Sequence, residues 1–478
     1  VDFIRRYFRS VIGMMLMYLV VVLVAYIFIN VNVKNILDLI SKHKNNNTNL
    51  YLDYFFIFSC LFLFGFALVY YLLLEKKISI REEYNKKILY FFIAFGLAIR
   101  LVLSYLIPGY VDDIGCFKGW SDSLVKDFSR FYINPGSADY PPLYMYVLFI
   151  IGKLNAIPLV NKYYIILIKL PAILADIISA CLVYKIGKKY LASELSLLIF
   201  ILYMLNPSII MNSSVWGQVE SVFTLIIITA LYFLAQDKLK LATVMFALSV
   251  LMKPQGIIFL PIMFFELVRR KKIRDFIVLI SIALGVVLIV ILPFNANRTP
   301  LWIIDLYKKT ISEYPYATMN AFNIFYLLKA NMVNNTKNLF VFSYHFYGMF
   351  FIIATTLFSW YIYIKGNNKK YAFLCAFIQI AGVFNLSVGM HERYLYAAVT
   401  FAVFTFIYIK DSRFVYLAIA FSFTSYVNCH FVLSGIGGDI IGKRLGEIIS
   451  VINLILVIYL IIISLDNVNK IARNDRMI

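Results

Sequence analysis

The sequence predicts an all-α fold, a polytopic transmembrane helix bundle of about 13–16 spans. Three observations predict it. Of the residues 62% are hydrophobic and 15% charged, whereas soluble domains average roughly 45–50% and 25%. The apolar residues fall in unbroken blocks long enough to cross a hydrocarbon core of about 30 Å. Lys and Arg collect in the connections between those blocks. Backbone groups in lipid must be bonded within their own segment, so each block should be a helix.

The apolar blocks run over 11–30, 52–74, 88–107, 142–157, 164–184, 194–214, 219–235, 241–267, 276–294, 346–364, 371–388, 394–409, 414–431 and 447–465. The first lacks a small-residue cleavage site and is expected to be a retained span. Basic connections at 5–9, 76–87, 185–189, 269–274, 365–370 and 410–413, and a basic tail at 470–476, are expected in the cytoplasm. Both termini then face the cytoplasm. The net charge of +20 would suggest nucleic acid in a soluble protein. Here the positive-inside rule accounts for it, and no nucleic-acid partner is expected. The five cysteines, Cys60, Cys116, Cys181, Cys375 and Cys429, form no CxxC pair and read as packing residues, without a disulfide framework or a zinc site.

Three connections are left to face outward, 31–51, 108–141 and 295–345. The second holds Asp112, Asp113, Asp122, Asp127 and Asp139 against Lys118, Lys126 and Arg130. Four regions follow. Residues 1–87 form two extra N-terminal spans with a cytoplasmic loop. Residues 88–294 form a transmembrane module that carries the outer loop 108–141. Residues 295–345 form an outer loop, and 346–478 the C-terminal spans. With 108–141 outside and 185–189 inside, the stretch 142–184 must cross an odd number of times. Residues 142–168 are expected to enter and return as two short segments hinged near Pro158, before a span over 169–187. The block 241–267 has the same need, and Lys253-Pro254-Gln255 breaks it, since proline lacks an amide donor. Broken helices at membrane depth are tolerated where they line a cavity.

The polar residues of the outer side carry the chemistry. Asp112 and Asp113 end a span in water or, functionally, supply a general base. Phe117, Leu124, Phe128 and Phe131 recur at near-helical spacing with charges between them, which suits an amphipathic helix in the interface. Asp139 precedes Pro141-Pro142 in the same outward loop. Trp216, Gln218 and Glu220 lie where two spans meet, and an indole, an amide and a carboxylate there suit sugar hydroxyls. Lys253, Asp176 and Arg100 are ionisable residues inside apolar blocks, which are expensive and usually functional or paired. His391, Glu392 and Arg393 share a tight outer link. His and Arg suit a phosphate, and Arg can bind one through two parallel hydrogen bonds.

These residues resemble a known family. An aspartate pair in the first outer loop of the core, after an Arg-containing span, is similar to the GT-C glycosyltransferase superfamily. Asp139-Tyr140-Pro141-Pro142-Leu143 resembles the DYPPL element of the dolichyl-phosphate-glucose-dependent glucosyltransferases. Asn206-Pro207 with Gln218 resembles their NP…HxQYN stretch, Lys253 with Gln255 their K-Q pair, and His391-Glu392-Arg393 their H-E-K. The order and rough spacing agree over 88 to about 400. Trp216-Gly217-Gln218-Val219-Glu220 also resembles bacterial membrane proteins described as mannosyltransferase-like. The chain departs from the eukaryotic pattern at Trp216-Gly217-Gln218 and at Arg393, which leaves sugar and acceptor open.

The resemblance implies a GT-C-like enzyme in a bacterial plasma membrane, with its site outside and interfacial helices in the first large outer loop. It would move a hexose, mannosyl or glucosyl, from a polyprenyl-phosphate carrier to a glycan, lipid or protein hydroxyl, with inversion. Asp112 or Asp113 would be the base, with Asp112 preferred. Arg393 and His391, with Lys253, would hold the phosphate, and Gln218 and Glu220 would orient hydroxyls. The loop 295–345, with Tyr314-Pro315-Tyr316 and Asn320, would cover the site. No cofactor is expected. A divalent ion is not favoured, because an oxygen-only cage needs more ligands than an aspartate pair offers. The competing classes are a transporter or lipid-linked sugar flippase, whose site should lie near the bilayer midplane, and a non-catalytic scaffold.

Overall fold

The computed structural model describes residues 47–76, 82–133, 138–295, 299, 301–435 and 440–474. The first expected span, most of the loop 31–51, the basic stretch 5–9, the end of the basic tail and both termini lie outside the described residues. The described chain is helical almost throughout, and what little strand it has is in two-residue pieces. Among the described residues eight helices are long and apolar enough to cross a membrane, and shorter apolar helices lie between them.

The helices run between two ends of one bundle. We label them α1 (Asn47–Lys76), α2 (Glu82–Leu106), α3 (Val111–Lys126), α4 (Leu143–Asn155), α5 (Tyr164–Tyr190), α6 (Ser193–Met204), α7 (Glu220–Ala235), α8 (Leu239–Met252), α9 (Leu260–Arg270) and α10 (Ile273–Ile291). They continue as α11 (Trp302–Ser312), α12 (Tyr344–Gly366), α13 (Ala372–Leu386), α14 (Tyr396–Ile409), α15 (Arg413–Leu433) and α16 (Ile440–Asn474). One end gathers the cations of the short connections. There Arg270 and Lys369 pair with Asp237, Arg413 pairs with Asp411 and Asp466, and Lys370 and Lys189 sit over the rings of Tyr190 and Tyr232. The other end gathers α3, α4, α11 and the turns that carry most of the acidic residues singled out above.

α3 and α4 are the amphipathic elements of the acidic end. α3 buries Ile114, Phe117, Ser121 and Leu124 and begins with Asp112 and Asp113, which suit the positive end of its dipole. Its buried face receives α4 closely, with Ser121 Oγ donating to the Leu148 carbonyl at 2.7 Å. Residues 142–168 therefore do not enter and return as two segments. α4 is one helix lying along α3, and the turn Pro158–Asn161 leads into α5. The cause is local: Ile157 is extended before Pro158, as the residue before a proline prefers to be. One span from Tyr164 then supplies the odd crossing.

The odd crossing expected of 241–267 is overturned. α8 leaves the basic end after Asp237 and climbs to Met252. Lys253 is extended, a 3-10 segment Pro254–Phe259 follows, and α9 returns to Arg270. Arg270 pairs with Asp237, so the block comes back to the end it left. The proline turns the chain back instead of kinking a single span.

The long connection after α10 folds over the acidic end. α11 is anchored by Tyr307, whose hydroxyl donates to the Val250 carbonyl at 2.6 Å, and by Thr310, which donates to the Asp139 carbonyl at 2.6 Å. Further on, Thr318–Met319 pairs in parallel with Met390–His391. α1 packs along α15 through Phe55 on Tyr426 and Tyr70 on Tyr416.

Candidate active site

One backbone crossing between two turns creates the site. The loop after α2 and the turn after the π-helical segment Met211–Trp216 lie against each other, with the Tyr110 amide donating to the Trp216 carbonyl at 3.0 Å. Both turns need glycine. Gly109 has φ +104°, and a Cβ there would meet the Trp216 carbonyl oxygen at 2.5 Å. Gly217 has φ +92°, and its Cβ would meet Ile114 Cδ1 at 2.7 Å. Lys169 locks the crossing from below. Its ammonium donates to the carbonyls of Ile107 at 2.7 Å and Ser214 at 2.8 Å, and its side chain is fully buried. The sequence reading missed Lys169, although the rule that flagged Lys253 applies equally to it.

The crossing presents Asp113. Trp216 Nε1 donates to Asp113 Oδ2 at 2.6 Å, and Tyr110 stacks on the Trp216 ring at 4.9 Å. Asp113 is half-buried beside the packed Ile114, whereas Asp112, one helical step away, is exposed. Of the two aspartates only Asp113 is fixed by this indole. The guanidinium of Arg393 lies over the same Trp216, 5.9 Å from the ring centre.

A charged cluster faces this aspartate. Lys253 Nζ donates to Glu220 Oε1 at 2.6 Å, and both residues are buried. The ammonium also sits over the rings of Tyr140 at 5.3 Å and Tyr394 at 5.4 Å. Arg393 Nη1 donates to Glu392 Oε1 at 2.7 Å, and Arg393 Nε lies 3.7 Å from Glu220 Oε1. Glu220 Oε2, Arg393 Nε, Gln218 Nε2 and Gln255 Oε1 are buried without a hydrogen-bond partner in the protein. Buried polar groups are ordinarily bonded, so these four atoms keep unused bonding capacity. Among the described residues no three His, Cys, Asp or Glu side chains gather as a metal-binding group.

The covering loop closes one wall. The Tyr314 ring packs edge-on against His391 at 5.1 Å, and the Gly389 amide donates to the Tyr316 carbonyl at 3.0 Å. Asn320 bridges to His391 through the backbone. Burial, with Arg393 and Lys253 nearby, holds the His391 imidazole well below its ordinary pKa, so it enters neutral chemistry as an uncharged donor or acceptor. Asp139 faces Glu313 at the end of α11. Burial pushes both carboxyls up; Asp139 raises Glu313 further, and a hydrogen bond with Glu313 pulls Asp139 partly back. Burial likewise raises Glu392, against the pull of Arg393. Glu313 was missed in sequence, although Tyr314 beside it was noted.

Other flagged residues have structural roles. Arg100 and Asp176 pair with each other at 3.1 Å, fully buried, and Tyr396 donates to Asp176 at 3.0 Å. Asn206 caps the turn Pro207–Ile210, its Oδ1 accepting from the Ser208 amide and from Ser422 Oγ. It faces helix ends and not the cluster.

One end of a helix bundle thus holds an oriented carboxylate opposite two cations, between walls of aromatic rings. The sequence profile of glycosyltransferase family 87 matches residues 139–388, just over half of the chain. No curated protein matches the chain.

Proposed function

We propose, for a chain that belongs to glycosyltransferase family 87, that the sugar it transfers is a hexose carried on polyprenyl phosphate and that Asp113 is the general base. The observation that supports this most is the placement of Asp113. Trp216 holds it at 2.6 Å, and the same indole lies against Arg393, which in turn approaches the Lys253–Glu220 pair.

The acceptor hydroxyl gives its proton to the Asp113 carboxylate. Its oxygen forms a bond to the anomeric carbon from the face opposite the phosphate. The carbon–phosphate oxygen bond breaks, the electron pair leaves with polyprenyl phosphate, and the sugar inverts. Arg393 and Lys253 stabilise the charge that develops on the leaving oxygens, which grows as the oxocarbenium-like transition state forms. Each cation is already paired with a carboxylate but has donors to spare. His391, uncharged, adds a neutral hydrogen bond. Glu220 Oε2, Gln218 Nε2 and Gln255 Oε1 have free bonding capacity for sugar hydroxyls. The isoprenoid tail lies among the lipid-facing helices, and the acceptor, a glycan, lipid or protein, comes from the aqueous side. The acidic end faces outward in a bacterial plasma membrane by the distribution of loop charges.

A transporter or flippase would hold its substrate near the middle of the bundle. Here the partnerless polar atoms of the cluster lie with the acidic end, which favours the enzymatic reading. The test is turnover by purified protein with synthetic polyprenyl-phosphate mannose and glucose, with product mass measured for each. Asp113→Asn should lose most activity and Asp112→Asn less. Full turnover by both single variants and by the double variant would reject an aspartate base.

A further inference from the structure

The basic end contains a recess that the proposed reaction does not use. It measures about 510 Å³ and lies where the α7–α8 and α9–α10 turns meet, lined by Lys238, Lys240, Arg270, Arg274, Asp237 and Asp275 with apolar neighbours. That volume is within the range of small-ligand sites, roughly 300–1,000 Å³.

Its charges are unevenly matched. Both carboxylates face Arg270: Asp237 pairs with it, and Asp275 lies 3.6 Å from its Nη1. Lys369 adds a second cation to Asp237. Lys238, Lys240 and Arg274 are exposed, and among the described residues none has a carboxylate at ion-pair distance. Three unmatched cations therefore converge on one hollow. Apolar side chains line it as well, Leu241 of α8 and Val278 of α10 among them. From there an apolar stripe runs up α10 through Val278 and Ile282, both half-buried, to Ile289, which is 71% exposed. The spacing puts these side chains on one face of the helix. A cationic hollow opening onto an apolar helix face matches a molecule with an anionic head and a hydrocarbon chain.

We infer that this recess binds the phosphate headgroup of an anionic membrane phospholipid, with Lys238, Lys240 and Arg274 on the head and an acyl chain along α10. The inference rests on the membrane-spanning fold and is independent of the donor and base assigned above. Free inorganic phosphate shares the headgroup chemistry but leaves the stripe bare, so lipid is favoured as the occupant.

The experiment uses the full chain in a neutral detergent, titrated with phosphatidylglycerol, phosphatidylcholine or inorganic phosphate. Binding is read as a shift in melting temperature, because a ligand held only by the folded state raises it. Phosphatidylglycerol should raise it saturably, and the other two should not. The triple variant Lys238→Gln, Lys240→Gln, Arg274→Gln should need at least tenfold more phosphatidylglycerol for half the shift. These positions are exposed, and the variant's own melting temperature without lipid reports whether it folds. A control triple variant, Lys185→Gln, Lys365→Gln, Lys410→Gln, removes other exposed cations of the same end and should respond as the unmodified protein does. The proposal falls if the two triple variants lose equally, which marks diffuse surface charge. It falls also if the recess variant loses nothing, or if inorganic phosphate gives the same shift as the lipid.

Discussion

The two ends of the bundle both bury carboxylates against cations, and they do it differently. At the basic end Glu266 is fully satisfied. It accepts from Arg269 at 2.8 and 3.0 Å, from Arg270 at 2.8 Å and from the Tyr363 hydroxyl at 2.8 Å. That exhausts the roughly four acceptor sites of a carboxylate. At the acidic end Glu220 has one short bond, from Lys253, and its second oxygen is buried without one. A closed network is cement, and an open one is a place for something else to bind. The difference separates filled from unfilled bonding more sharply than burial does, since both carboxylates are buried.

Substitutions can break that contrast. The largest effects should come from exchanging the two behaviours. Asp113→Asn should cut turnover by about 10²–10⁴-fold, the usual worth of a positioned base, and leave the melting temperature within a degree or two. Glu266→Gln should do the reverse, costing about 3–5 kcal/mol of stability as a buried network loses its charge, with turnover per folded molecule unchanged. Equal damage to both properties by either variant would erase the distinction. Lys253→Met should leave the Glu220 carboxylate with only the more distant Arg393, at a cost of about 3 kcal/mol, and the double variant Lys253→Met, Glu220→Gln should recover part of that stability but no activity. A more modest effect is expected from Trp216→Phe. It removes the bond that orients Asp113, worth about 1.5–3 kcal/mol when the acceptor is charged, and should appear as a roughly tenfold to hundredfold loss in kcat with little change in KM.

The smallest effect concerns pH. Asp139 and Glu313 hold their protons more tightly in the fold than in the unfolded chain. An acid of that kind stabilises the fold at low pH, and the contribution is lost as pH rises from the ordinary carboxylate value through the raised one. Stability of the protein should therefore decline across that window, and Glu313→Gln should flatten the slope. An identical slope in the variant would remove the pair from the account.

Much of this was legible in the sequence, and the reasons are physical. Hydropathy blocks and loop charges report directly on what lipid and potential demand, so the helical bundle followed from composition. The residues Asp113, Asp139, Trp216, Gln218, Glu220, Lys253, Gln255, His391, Glu392 and Arg393 were all named, because charged or amide groups beside apolar blocks stand out. What pairs with what was not legible. Glu220 and Lys253 are 33 positions apart and Arg100 and Asp176 are 76 apart, and no local pattern joins them. The preference for Asp112 came from order along the chain, whereas the rotation of α3 turns Asp113 toward Trp216. The hairpin of α8 and α9 was misjudged because an apolar block reads alike whether it crosses or doubles back. The ion pair of Arg270 with Asp237 tells the two apart.

That hairpin has a consequence for how the protein is made. Its tip is a lysine, and a bare ammonium is costly to send into a membrane. The neutralising Glu220 precedes it by 33 residues, on the helix that descends just before the hairpin begins. During synthesis the acid is therefore laid down first and waits for the base. The hairpin and the helix before it therefore carry a matched base and acid at their shared end, where the later Arg393 also reaches the acid.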